Sequence, residues 1–283
     1  MLRSMYSGIA GLKGFQTQLD VVGNNIANVN TSGYKKSRVA FQDMMSQTIA
    51  GASAPTGIRG GINAQQVGLG SQIGAIDVIH TQGNRQTTNR TLDLALEGDG
   101  MFIFASGVDE DEINLPDANL LYSRAGNMYL DDDNYIVNAN GEYLVGTNEA
   151  GNPIRIQLPE DFTSFSIQGN GIVNYIDENN ETQEAGQIAL ANFANPGGLE
   201  QVGANMYRST VNDGLVTADD GTPLLHEPED GVASIVSGAL EMSNVDLAEE
   251  FTDMIVAQRG FQANTRIITT SDEILQELVN LKR

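Results

Sequence analysis

Ser243-Asn244-Val245-Asp246-Leu247-Ala248-Glu249-Glu250-Phe251-Thr252-Asp253-Met254 opens the stretch on which the fold turns. Ser243, Asn244 and Asp246 are helix-capping residue types, and Glu249 and Glu250 put negative charge where a helix start favours it. Beyond them a strict alternation of four and three residues visits Leu247, Phe251, Met254, Gln258, Phe261, Thr265, Ile268, Asp272, Leu275, Val279 and Lys282. That spacing is a coiled-coil seam, and it predicts a helix of about 35 residues, roughly 52 Å long at 1.5 Å per residue. Gln258, Thr265 and Asp272 interrupt the seam, as polar residues that fix register at a cost in stability.

The amino terminus carries a second stripe: Leu2, Met5, Ile9, Leu12, Phe15, Leu19, Val22, Ile26 and Val29, again in steps of three and four. Gly8, Gly11, Gly14 and Gly23 weaken it, each costing roughly 1 kcal/mol against Ala, so this helix needs a partner. It should stop in Asn28-Val29-Asn30-Thr31-Ser32-Gly33, where Asn and Gly tolerate left-handed backbone. An ordinary core helix explains either stripe taken alone. The two also share a tetrapeptide pattern, Lys13-Gly14-Phe15-Gln16 and Arg259-Gly260-Phe261-Gln262. A glycine lets backbones approach and the adjacent Phe fills the seam, which favours a terminal coiled coil that also meets other subunits.

Charge divides the 283 residues in the same way. Residues 1–90 hold 8 basic and 3 acidic side chains, residues 91–240 hold 3 and 26, and residues 241–283 hold 4 and 8, for a net charge of -22. The two ends differ in sign, which favours their pairing, while the acidic middle repels copies of itself. A chain this acidic is a poor ligand for nucleic acid or anionic membrane. Short apolar runs separated by turn residues fill the middle: Ile76–Ile79, Leu92–Leu96, Met101–Phe104, Met128–Leu130, Tyr135–Val137, Tyr143–Val145, Phe165–Ile167, Ile172–Ile176 and Gln187–Phe193. They predict short β-strands joined at Asp131-Asp132-Asp133-Asn134, Asn140-Gly141, Gly169-Asn170-Gly171 and Asp177-Glu178-Asn179-Asn180. Val108–Asn119 reads as an acidic loop. The fold class is therefore α+β: long N- and C-terminal helices pairing as a coiled coil, with a mainly antiparallel β domain between them. The boundaries are 1–39 with 240–283 for the coiled coil, 40–75 for a Gly-rich connector, and 76–239 for the β-rich outer domain.

Catalytic and metal-binding patterns are missing. The chain has no Cys and two His, His80 and His226, so thiolate chemistry and His-rich zinc sites are excluded. Asp131-Asp132-Asp133 lacks the alternating ligands of a calcium loop and reads as a hairpin turn. His226-Glu227 runs into Pro228, Asp219-Asp220 reads as solvated, and Gly68-Leu69-Gly70-Ser71-Gln72-Ile73-Gly74 has one residue too many for a dinucleotide fingerprint. No cofactor is expected. No segment reaches the roughly 18 apolar residues of a membrane helix, so no membrane insertion is expected, and the first residues lack a secretory signal's apolar core.

Asn24-Asn25-Ile26-Ala27-Asn28, running on through Thr31-Ser32 to Gly33-Tyr34-Lys35-Lys36, resembles the amino-terminal signature of bacterial flagellar rod and hook proteins. Ser243-Asn244-Val245-Asp246-Leu247, the segment from Met254 to Asn264, and Leu92-Asp93-Leu94-Ala95-Leu96 leading through Gly98 and Gly100 to Phe102 are similar to the same family. The resemblance implies a structural subunit, not an enzyme, that forms a helical homo-oligomer with the paired helices inside and the β domain outside. It also implies contacts with other axial and junction proteins, and passage through the flagellar export apparatus without a cleaved signal. Tyr122-Ser123-Arg124-Ala125-Gly126-Asn127 and Val256-Ala257-Gln258-Arg259 look more like hook proteins. The expected role is therefore the hook, a flexible joint whose outer domains slide on the connector. The distal rod is the alternative, and a secreted carboxylate-based enzyme or an adhesin is the remote one.

Overall fold

A computed structural model describes residues 2–55, 59–107, 113, 118–148, 151–160, 162–178, 180–216, 225, 228 and 232–281, with only the backbone of Leu2 and Arg3. The chain divides into two compact units, one of residues 1–27, 37–79 and 246–283, the other of residues 28–36 and 80–245.

In the first unit, helix α1 spans Leu2–Ala27 and helix α2 spans Leu247–Leu281. Asp246 caps α2: its carboxylate accepts the Ala248 N–H at 2.8 Å and its carbonyl accepts the Glu250 N–H at 3.0 Å. The expected connector at 40–75 is instead laddered. Strands β1 (Ser37–Asp43), β2 (Ser46–Ala50), β3 (Gln65–Gly68) and β4 (Ser71–Val78) pair β1 with β4 and β2 with β3, both antiparallel. Its glycines made the stretch read as loose, but one of them is what lets it pack. Gly70 has φ +120°, and a Cβ there would sit 3.2 Å from Ser7 Cα, so the β3–β4 turn lies directly on α1. From β1, the Phe41 ring fills the space beside Gly14 and lies 5.9 Å from the Phe15 ring.

The second unit is built on an antiparallel sheet running through Ser164–Ile167, Ile172–Ile176, Thr182–Ile188, Tyr143–Thr147, Met101–Ser106, Asn119–Ser123, Met206–Arg208 and Glu200–Gly203. Alternation along Met101–Ser106 shows why the sheet is covered on both faces. Phe102 and Phe104 join one apolar cluster with Leu94, Leu96, Leu144 and Val173, while Met101, Ile103 and Ala105 join another with Tyr122, Val145 and Phe193. The predicted turns close as expected. The Asn134 N–H bonds the Asp131 carbonyl at 2.9 Å, Gly141 bonds Asn138 at 3.1 Å, Gly171 bonds Gln168 at 3.0 Å and Asn180 bonds Asp177 at 2.9 Å. Two long terminal helices packed on each other and a mainly antiparallel middle are the α+β class read from the sequence.

Candidate assembly surface and the signature residues

Helices α1 and α2 run antiparallel, since Gly8 meets Ile268, Gly11 meets Asn264 and Phe15 meets Gly260. A Cβ at Gly260 would lie 2.6 Å from the Phe15 ring, so the absent side chain is what admits it. Small residues set this contact: Gly8, Gly11, Ala257 and Ser271 are buried. The seam read as large apolar residues is accordingly displaced. Val22 is buried, and Met5, Leu12, Phe15, Leu19, Ile26, Val29, Met254, Ile268 and Leu275 are half-buried, while the side chain of Leu2 lies outside the described residues. Ile9, Leu247, Phe251, Phe261 and Val279 are exposed, Phe251 at 50% and Phe261 at 37%. Backbones that approach over glycine push the bulky side chains to the flanks of the contact. Ile255, Val256, Ile267, Ile274, Leu278 and Leu281 are exposed on the same helix, so α2 offers apolar surface on several faces, the character of a surface that meets other molecules.

Asn25 ties the end of α1 to two other elements. Its side-chain carbonyl accepts the Ser37 N–H at 3.0 Å, and its amide donates to the Ser37 carbonyl at 2.9 Å and to Glu250 Oε2 at 3.1 Å. Asn25 and Glu250 are both buried, so a short amide joins β1 and the first turn of α2 to α1.

In the second unit the separate signature segments converge on one buried cluster. Lys35 Nζ bonds Glu241 Oε1 at 2.5 Å and the Thr81 carbonyl at 2.8 Å. Arg124 donates to Glu241 Oε2 at 3.3 Å and to the Gly98 carbonyl at 2.6 Å. Glu241 also accepts the Gly83 N–H at 2.9 Å through its carboxylate and the Gly33 N–H at 2.8 Å through its backbone carbonyl. Gly33 has φ +70°, and a Cβ on it would come within 2.6 Å of Ala125 N, so glycine is required on both counts. Asn28 accepts a bond from the Thr31 hydroxyl at 3.1 Å, closing the turn after α1. Tyr34 is half-buried beside Lys35, and Asn24 and Ala27 lie exposed on α1. Burial lowers the Lys35 pKa below the ordinary lysine value, against the pull of Glu241. Nearby, burial followed by the charges of Lys35 and Arg124 pushes the His80 imidazole down to about 4. Sequence reading missed Glu241, Arg124 as its partner, Asn25's bond to Glu250 and the buried role of Glu250 itself. Charged residues inside an otherwise apolar or small-residue context were the available signal.

None of this is arranged for catalysis. No group of His, Asp and Glu among the described residues is placed to hold a metal ion. Asp131, Asp132 and Asp133 form an exposed turn, whereas His226-Glu227, Asp219-Asp220 and most of the Val108–Asn119 loop lie outside the described residues. No helix among the described residues is long and apolar enough to cross a membrane.

Three family models match: flagella basal body rod protein over residues 5–35, the flagellar hook protein FlgE/F/G D1 domain over 95–175, and the flagellar basal body rod FlgEFG protein C-terminal region over 236–281. The chain is 53% identical to the flagellar basal-body rod protein FlgG of Bacillus subtilis over 284 residues, covering all of both chains. It is 38% identical to FlgG of Borreliella burgdorferi over 288 residues, again covering all of both. To the flagellar hook protein FlgE of the same bacterium it is 32% identical, over an alignment of 457 positions that covers all of both.

Proposed function

The chain belongs to the family of bacterial flagellar rod and hook proteins, and from that premise we propose that it is a subunit of the distal rod, the straight drive shaft of the basal body, polymerising with copies of itself into a helical tube. Members of this family are structural proteins of the flagellum, so the enzyme and adhesin alternatives fall away.

The observation that carries the rod reading is the end-to-end match to a rod protein at this identity without a long insertion on either side. The hook alignment is stretched to 457 positions, far beyond the 283 residues of this chain. The hook expected from residues 122–127 and 256–259 fits less well, and Arg124 in the first of those segments has a structural role of its own, bonding Glu241 and Gly98 inside the fold. The laddered strands at 37–78 also suit a stiff shaft better than a sliding joint. In this reading the exposed apolar residues of α2 are buried by neighbouring subunits in the tube, other axial proteins continue it at either end, and the chain reaches the flagellum through the export apparatus without a cleaved signal.

The test is assembly of the purified chain, followed by sedimentation and electron microscopy. Straight tubes are expected. Curved or supercoiled tubes would return the reading to the hook, and a chain that stays monomeric at high concentration would remove self-assembly altogether.

A further inference from the structure

The two helices of the first unit differ in length by nine residues, and the excess lies at one end. Gly11 meets Asn264 and Gly8 meets Ile268, so in this antiparallel register Leu2 falls level with about residue 274 of α2. The residues from 275 to 281, roughly 10 Å of helix at 1.5 Å per residue, run past the start of α1. Leu278 and Leu281 are exposed there, Leu281 at 83%, as is Ile274 at the base of the overhang, and their spacing of four and three puts them in one stripe. Glu273 and Glu277 border that stripe on one side, and Lys282 and Arg283 follow Leu281 in the sequence.

The same unit holds a groove of about 550 Å³ between α1 and the β3–β4 turn, lined chiefly by Tyr6, Ile9, Ala10, Leu69 and Ile73, with Lys13 as the single charged residue on its wall. Tyr6 and Ile9 are exposed along it. The groove is apolar with Lys13 on its wall, and the stripe is apolar with Glu273 and Glu277 along one flank, so the two match in apolar character and along that flank in charge, and they lie on different parts of one chain.

Resting on the self-assembly reading above, we propose that the carboxy-terminal two turns of α2 dock into the α1/β3–β4 groove of a second copy, with Ile274, Leu278 and Leu281 in the groove and Glu277 facing Lys13. A knob and a groove on different patches make a head-to-tail contact, which repeats without closing on itself and so builds a helical filament. Charge pairing at the rim sets the register and speeds encounter, while the apolar residues hold the contact.

The absence of Cys from the chain gives a clean cross-linking test. Ala10→Cys and Leu278→Cys proteins are prepared separately, mixed, polymerised and oxidised. A disulfide-linked pair joining one variant to the other is expected in the mixed polymer and in neither single-variant polymer. Mixed polymers without that linked pair overturn the docking and leave self-assembly standing. An unmodified chain that fails to polymerise overturns self-assembly and the docking together. Should the cysteines themselves block assembly, a charge exchange decides: Lys13→Glu and Glu277→Lys should each slow elongation about tenfold, and the double variant should recover to within about twofold. A double variant as slow as the two defects combined overturns the pairing.

Discussion

Lys35 Nζ lies 2.5 Å from Glu241 Oε1, joining residues 206 apart in the chain, and both side chains are almost wholly buried. Glu241 is the shared acceptor for Lys35, Arg124 and the Gly83 N–H, so its removal takes the paired carboxylate from two buried cations at once and leaves each with a backbone carbonyl. Breaking a buried pair from one side typically costs about 3–5 kcal/mol. Glu241→Gln should therefore lower the thermal midpoint of the β-rich unit by several degrees in circular dichroism, and an unchanged midpoint would show that the cluster does not hold the segments together.

His80 gives the unit a pH dependence of known sign. Its pKa of about 4 in the folded chain lies below the 6.5 of an exposed histidine, so between those values the unfolded chain binds the extra proton. Stability from this group is present above pH 6.5 and is lost as the pH falls towards 4, by about 2 kcal/mol once partial solvent access is allowed for. With His226 replaced by Gln in both proteins, urea midpoints across pH 4 to 7 should show a steeper acid loss in the His80 protein than in its His80→Gln variant. Parallel curves would contradict this.

Glycines along the helix pair should respond in opposite directions. A Cβ at Gly23 meets nothing within 4 Å, so Gly23→Ala should stabilise α1 by about 0.5–1 kcal/mol through helix propensity alone. Gly260→Val would drive a side chain into the Phe15 ring and should loosen the pair. Helical ellipticity of the two variants during thermal melting separates the effects, and equal behaviour would mean that the close approach at Gly260 is unimportant.

These glycines also mark where sequence reading succeeded and where it stopped. The capped start at Asp246 and the turn at Asp131–Asn134 were legible because each is fixed by neighbours within a few residues. The heptad spacing gave α2 its length, but it assigned the inner face to Phe251 and Phe261, where the chain uses Ala257, Gly260 and Ser271. Periodicity locates a stripe, and the side-chain sizes on the partner decide which edge of it is inside. The pairing of β1 with β4 was legible only at the Ile76–Ile79 run, because both strands mix polar with apolar residues, are largely exposed and pair across 28 or more residues. Lys35 was legible as part of a signature, but its partner Glu241 was not, since no local pattern links them.

The exposed apolar row on α2 and the acidic turn of the β-rich unit should differ sharply under mutation. Phe261→Asp places a charge on the apolar surface of α2 and should abolish polymer in sedimentation while circular dichroism of the subunit stays near native, because Phe261 is already partly exposed. Asn in place of Asp131, Asp132 and Asp133 together alters only an exposed turn and should leave polymer and motility intact. Normal tubes from Phe261→Asp would move the assembly surface away from α2.

The most direct measurement of the rod assignment is immunogold labelling of intact flagella and isolated basal bodies with antibody to this chain. Label confined to the straight shaft of the basal body is the predicted result, and label along the curved segment outside the cell envelope would contradict it.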